Sequence, residues 1–201
     1  MAEFKSTAAL SSAFQHDNYL IRRQVFKLFG AAFHIYDPAG SVAFYSKQKA
    51  FKLKEDIRLY TGEDMQVELL SIQARQVIDF SAAYDVVDST SRMKVGALRR
   101  KGMKSIVQDE WILLDAQDLP IGMFKEDSMA LALIRRFLTN LVPQKYHGEM
   151  SGQSVCFFKQ NFNPFVLKLQ LDFSMDQNRL LDRRLGIAAA VLLCAIDSRQ
   201  N

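Results

Sequence analysis

The sequence predicts a mostly β domain that closes around its own C-terminal helix. Three observations carry this. Apolar residues recur with a period of two along most of the chain, turn residues interrupt them at short intervals, and one late segment is apolar on every face. At 201 residues with 49% hydrophobic content, the chain can bury one sizeable core. It therefore reads as a single domain over 18–201, preceded by an N-terminal segment, 1–17, that has room for a short helix.

The clearest alternation runs from Phe51 through Leu53, Ile57 and Leu59, with Lys52, Lys54, Asp56 and Arg58 between them. That is a strand with one wet and one buried face. Ile78, Phe80, Ala82, Tyr84 and Val86 repeat the pattern, as do Phe165, Leu167, Leu169, Leu171 and Phe173 around Lys168, Gln170 and Asp172. Met65, Val67 and Leu69 share one parity, then Leu70, Ile72 and Ala74 take the other. A slip of one residue reverses the faces, so a β-bulge is expected near Leu69–Leu70, of the kind that curls a sheet into a barrel. Turn residues at 37–40, 61–64, 101–102 and 115–118 separate the apolar runs, and no low-complexity linker divides the chain.

Two segments depart from the alternation. Met129–Leu138 is rich in helix formers, follows a capping Asp127-Ser128 and stops before Pro143, which predicts a short helix near 129–139. A second helix is expected from about Asp176 to about Ser198. Its start is polar (Asn178, Arg179, Asp182, Arg183, Arg184), and Leu185–Ile196 is apolar all round. Such a helix must be enclosed by protein or by lipid. Its apolar run is about a dozen residues, against the roughly 20 needed to span a bilayer, so protein encloses it. Gly186, Ala188, Ala189, Ala190 and Ala195 keep it thin enough for a confined lumen. The arginines at its start oppose the helix dipole and call for carboxylates at the barrel rim or an anionic ligand.

Composition excludes several functions. The charged fraction of 24% is ordinary for a globular chain, and the net charge of +4 with a pI near 9.1 permits an anionic partner without requiring one. A single Trp and no basic–aromatic array argue against nucleic acid. Cys156 and Cys194 sit in apolar runs and read as buried thiols of a reducing compartment. His16, His34 and His147 have no ligand spacing to them, so no zinc site is built. Met1–Phe14 lacks the pattern of a secretory signal. No nucleophile elbow, phosphate-cradling glycine loop or zinc-helix motif occurs. Asp109 and Glu110 adjoin Trp111, but neighbouring strand residues face opposite ways and cannot act on one substrate. No enzyme activity and no cofactor are expected.

Several runs, taken together, resemble a known superfamily: Lys94–Gly102 (KVGALRRKG), Asp109–Asp115 (DEWILLD), Ile121-Gly122, Glu126-Asp127, the strand Val166–Phe173, and the terminal Leu192–Asp197. They are similar to the tubby-like C-terminal superfamily, which includes the phospholipid scramblase and LURP-one-related families. The resemblance runs from about Tyr19 to Asp197. It implies an antiparallel barrel of about twelve strands around a central helix, and a basic surface that binds phosphoinositide headgroups. Candidate anion-binding residues are Arg99, Arg100, Lys101 and Lys104, with Arg135 and Arg136 on the short helix.

Scramblases carry a calcium-responsive acidic segment before the terminal helix. Here Asp172, Ser174, Asp176 and Asn178 have the spacing of the start of a calcium loop. Gln177 and Arg183 stand where such a loop wants Gly and Glu, so helix capping by Ser174 or Asp176 is the competing explanation. The expectation is a non-enzymatic cytoplasmic module, peripheral to a membrane where its basic rim meets anionic lipid. The alternatives are a protein-interaction scaffold or a scramblase-related membrane role.

Overall fold

The computed structural model describes residues 12–26, 30–48, 56–75, 83–101, 110–126, 145–161 and 167–197. Twelve strands form one closed antiparallel barrel in which every strand pairs with its sequence neighbours and β1 closes on β12. They are β1 (Asn18–Phe26), β2 (Gly30–Tyr36), β3 (Val42–Gln48), β4 (Asp56–Tyr60), β5 (Glu68–Ala74) and β6 (Ala83–Asp88). Then follow β7 (Met93–Arg100), β8 (Glu110–Leu114), β9 (Pro120–Glu126), β10 (Lys145–Met150), β11 (Gln153–Gln160) and β12 (Lys168–Asp172). Helix α1 (Arg183–Asp197) follows β12 and fills the lumen. The short helix expected near 129–139 lies outside the described residues.

Burial follows the alternation. On β12, Leu169 and Leu171 are buried while Gln170 is exposed, and Phe173 continues the inner row. On β6, Tyr84 and Val86 are buried, and on β4 Ile57 and Leu59. The expected bulge is present: Leu59 faces Leu70 and Tyr60 faces Glu68, so Leu69 is the extra residue and both leucines are buried. Met65 and Val67 belong to the preceding turn, not to the strand, and are exposed. Met65 adopts a left-handed φ of 52°, which breaks the extended run there.

The bulge on β5 is one of a set. Register slips also leave Ala43 extra on β3, Val95 on β7, Ile121 on β9 and Val155 on β11. Each lies within three residues of the start of its strand, next to the hairpin that the strand leaves. A bulge bends the strand and increases its twist, and one on every second strand bends the wall around the helix N-terminus.

From Leu185 to Ala195 every helix residue is buried. Fifteen residues at 1.5 Å each make α1 roughly 22 Å long. The wall approaches closely where α1 has no side chain. A Cβ on Gly186 would lie 2.5 Å from Phe173 Cε1 and 2.6 Å from Cζ, so only glycine lets that ring approach the helix so closely. Among the described residues, no helix is long and apolar enough to cross a membrane.

α1 starts at Arg183, later than the expected start near Asp176. The Asp176 carboxylate accepts the N–H groups of Leu180 and Leu181 at 2.8 and 3.0 Å, which holds 176–181 in turns. Arg179 takes a left-handed φ of 50° within that stretch. Asp182 is the N-cap, its side chain accepting from Arg184 N at 2.9 Å. Arg183 and Arg184 find carboxylates, whereas Arg179 donates to the backbone carbonyl of Gln15 at 3.3 Å. Arg183, 5% exposed, donates to Asp176 at 2.8 Å and Asp17 at 3.1 Å, and its guanidinium lies 4.4 Å from the Phe173 ring centre. Arg184 pairs with Asp182 and with Asp88 on β6.

The N-terminal segment contributes a 3-10 turn, Ser12–Phe14. Phe14 is buried, its ring 4.7 Å from that of Phe44. Tyr19 sits beneath it, donates to Ala13 O at 2.7 Å, and has its hydroxyl pushed up to about 12 by burial.

Two outcomes follow. Replacing Asp176 by Ala removes two backbone caps and strands the buried Arg183 charge, so urea unfolding should show a loss of about 3 kcal/mol. A loss under 1 kcal/mol would mean the pair is dispensable. At Asp88, burial raises the carboxyl pKa, but hydrogen bonds from Ser91 N–H and Arg184 outweigh it and hold the group below the ordinary aspartate range. A depressed pKa stabilises the native state above the unfolded value, and that stability is lost as pH falls through the folded value. The melting temperature should therefore drop between about pH 5 and pH 3, less steeply in Asp88→Asn than in the parent.

Candidate basic surface on the barrel wall

Register, more than sequence proximity, assembles the most distinctive surface feature. β1 against β12 sets Arg22 opposite Lys168, and β10 against β11 sets Lys145 opposite Lys159. Lys159 also faces Gln170, two residues along β12 from Lys168. On β9, Lys125 faces His147, two residues from Lys145. Their immediate neighbours Ile21, Leu169, Phe158, Tyr146 and Phe124 are buried, so alternation turns all five cations outward. The barrel wall therefore carries one outward cation on each of five consecutive strands, in the order β9, β10, β11, β12, β1.

Among the described residues none of the five forms an ion pair. Several cations elsewhere do, while Lys47 on β3 and Arg99 on β7 are likewise without an ion pair among the described residues. Arg58 pairs with Asp56 and Glu68, and Arg75 and Lys94 share Asp85 and Asp118. At Asp85, burial raises the pKa, but Arg75 and Lys94 more than offset it, and the net direction is down. Like charges directly opposite on paired strands are unfavourable, by up to about 1 kcal/mol each. Two such pairs side by side on one wall give the fold no benefit.

A groove of about 780 Å³ runs along this wall over β11, β12, β1 and the β2–β3 turn, the size of a small-ligand site. Arg22, Lys159 and Lys168 lie at its basic end, with Leu20 and Phe157 supplying apolar surface. Asp37 and Asp172 lie at the other end, where their carboxylates accept the N–H groups of Ser41 at 2.9 Å and Ser174 at 2.7 Å. An anionic group is therefore accommodated only at the Arg22–Lys159–Lys168 end, where cation charge is unneutralised.

The residues singled out from the sequence are placed differently. Arg99 and Arg100 are consecutive on β7, opposite Ile112 and the buried Trp111 respectively, so they take opposite faces of the wall. Arg100 is engaged, and Lys101 Nζ donates to Glu110 at 2.6 Å. Lys104, Arg135 and Arg136 lie outside the described residues, as does Asp109. For the calcium candidates, Asp172 accepts the N–H of Ser174, and Asp176 accepts from Leu180, Leu181 and Arg183 in the turns before α1, whose N-cap is Asp182 and not Ser174 or Asp176. Asn178 lies exposed in the turn that follows. No group of three or more His, Cys, Asp or Glu among the described residues is arranged to hold a metal ion. Burial pushes the Cys156 thiol well up, so it stays protonated at neutral pH.

By its geometry the molecule is a closed twelve-stranded antiparallel barrel with a helix through its lumen and a basic outer wall. No protein-family model, no curated protein and no solved structure matches the chain.

If the wall cations are placed at the expense of the fold, relieving one pair should strengthen it. Lys159→Glu puts a carboxylate opposite Lys145 and should raise the unfolding free energy by about 0.5 kcal/mol in urea titration. A fall in stability would show that Lys159 already serves the fold.

Proposed function

We propose that the chain is a non-enzymatic, tubby-like binding module that engages anionic lipid headgroups, or a ligand of the same anionic chemistry, through its basic wall. The observation that carries this reading is the row of five cations with no ion-pair partners on five consecutive strands. Two like-charge pairs are set opposite one another there, against the preference of the sheet, while Arg58, Arg75, Lys94 and Lys101 elsewhere on the barrel have carboxylate partners. The tubby-like assignment draws support from the twelve-stranded barrel threaded by a C-terminal helix, the architecture that the sequence resemblance implies.

The physics of such a surface is additive and salt-sensitive. Each Lys or Arg near an anionic leaflet contributes about 1 kcal/mol, and the attraction decays within a Debye length. The groove adds a local seat for one headgroup between Arg22, Lys159 and Lys168, with Leu20 and Phe157 beside it. Association with the membrane is then peripheral, on the outer wall, and leaves α1 in the lumen.

The test is flotation of the full chain with vesicles of phosphatidylcholine alone or with phosphatidylserine, at two salt concentrations, plus a titration with a soluble inositol phosphate. Binding to the anionic vesicles at low salt is expected, and it should weaken roughly 30-fold in Arg22→Glu/Lys168→Glu, about 2 kcal/mol for two contacts. A shift with the soluble compound alone assigns the groove to a free anion. Binding to neither vesicles nor soluble anion, or binding unchanged in the double variant, overturns the reading.

A further inference from the structure

The second surface feature is at the mouth where α1 begins, and it is independent of the basic wall. Every exposed large apolar side chain among the described residues lies there. Val42 opens β3, Met65 and Val67 stand in the β4–β5 turn, Met93 opens β7, Leu119 precedes β9, and Met175 and Leu180 lie between β12 and α1. Met93 is 67% exposed and Leu119 61%, so these are protruding side chains and not the margin of the core. Large apolar groups concentrated at one end of an otherwise polar exterior mark an interaction surface. Three of them are methionines, whose unbranched thioethers adapt to partners of varied shape.

The charge around this apolar ring is negative. In the turns, Asp37, Asp64 and Asp115 have only backbone N–H partners, from Ser41, Gln66, Gln117 and Leu119. Glu63 adds another carboxylate, bonded to His34 at 2.9 Å. Beneath them, two arginines at the helix start, Arg183 and Arg184, face four aspartates, Asp17, Asp88, Asp176 and Asp182. Against these stand Arg92 and Arg179 in the turns. An anionic membrane is repelled by such a surface, and a second copy docked mouth to mouth would meet it with the same sign of charge. The basic wall of a second copy has, among the described residues, no protruding large apolar side chains to cover the ring. A basic segment with an apolar face satisfies both features at once.

We infer that this mouth docks a partner protein through a basic, amphipathic helical segment, its apolar face on the Met65–Met93–Leu119–Met175 ring and its lysines or arginines on the surrounding acids. The wall and the mouth are thus separate surfaces of opposite charge, one for an anion and one for a cationic peptide.

The probe is a synthetic amphipathic Leu/Lys peptide of roughly 18 residues, long enough to form a helix on docking. It is titrated into the full chain labelled at its methionine methyls. The chain has eight methionines, so Met65, Met93 and Met175 are read against the remainder. The expected result is selective shifts of those three, weakened at high salt. Affinity should fall about tenfold or more in Met93→Glu/Leu119→Glu, two exposed positions whose exchange leaves the core intact. A Leu/Glu peptide of the same pattern should give no shift. The inference is overturned if the Leu/Lys peptide leaves the three methyls unmoved, if the acidic peptide binds equally well, or if the methyls respond only to anionic vesicles or to the chain's own concentration.

Discussion

The enclosure of one apolar helix governs everything else in this molecule. From Leu185 to Ala195 α1 presents no polar side chain in any direction, so its burial requires a wall on every side. Twelve antiparallel strands supply that wall and leave no unpaired edge, since β1 closes on β12. The small residues of α1 and the large ones of the wall are complementary: Phe173 lies against Gly186, and Leu185 approaches Gly96. Substituting a larger residue on either side of these contacts would force the wall outward, and a closed sheet has little freedom to move that way.

Enclosure also concentrates strain and charge at one mouth. The positive end of a helix dipole is an unfavourable place for arginine, yet Arg183 and Arg184 occupy the first two positions of α1. Asp176 and Asp182 neutralise them locally, and Asp17 and Asp88 extend the network to β1 and β6. Arg183 thus ties the N-terminal segment, the β12–α1 connection and the helix into one cluster, buried at Arg183 and Asp176 and open to solvent at Asp17. It holds register and orientation where apolar packing alone would let the helix slide along the lumen, the use for which buried ion pairs are best attested.

Most of this fold is legible as alternation, and the failures have identifiable physical causes. The Leu69–Leu70 slip reads directly as a bulge because both parities there are strongly apolar. The equivalent slips at Ala43, Val95, Ile121 and Val155 carry the same signal in shorter runs, where one small residue or a nearby glycine blurs the parity. The helix start is misread because acids and amides at 176–182 suit a first helical turn as well as a chain of side-chain-capped turns. Arg99, Arg100, Lys101 and Lys104 attract attention as a run in sequence, yet β7 sends Arg99 and Arg100 to opposite faces. Arg22, Lys125, Lys145, Lys159 and Lys168 stand far apart in the chain as single wet positions. Pairing register, which one sequence does not encode in any local pattern, is what joins them.

The outer wall of a barrel that is fully packed from within is free of structural duty, and that freedom makes its charges informative. An outward residue on β11 or β12 touches neither the helix nor the inner row. Nothing in the folding problem selects Lys over Gln at Lys159 or Lys168, and cross-strand repulsion selects against it. The same reasoning applies in reverse at the mouth, where Met93 and Leu119 expose apolar surface that the core does not need. Where residues oppose the local preference of the fold on both counts, the balance has to be restored by something that is not part of the chain. An anionic surface restores it for the wall, and a cationic apolar one restores it for the mouth.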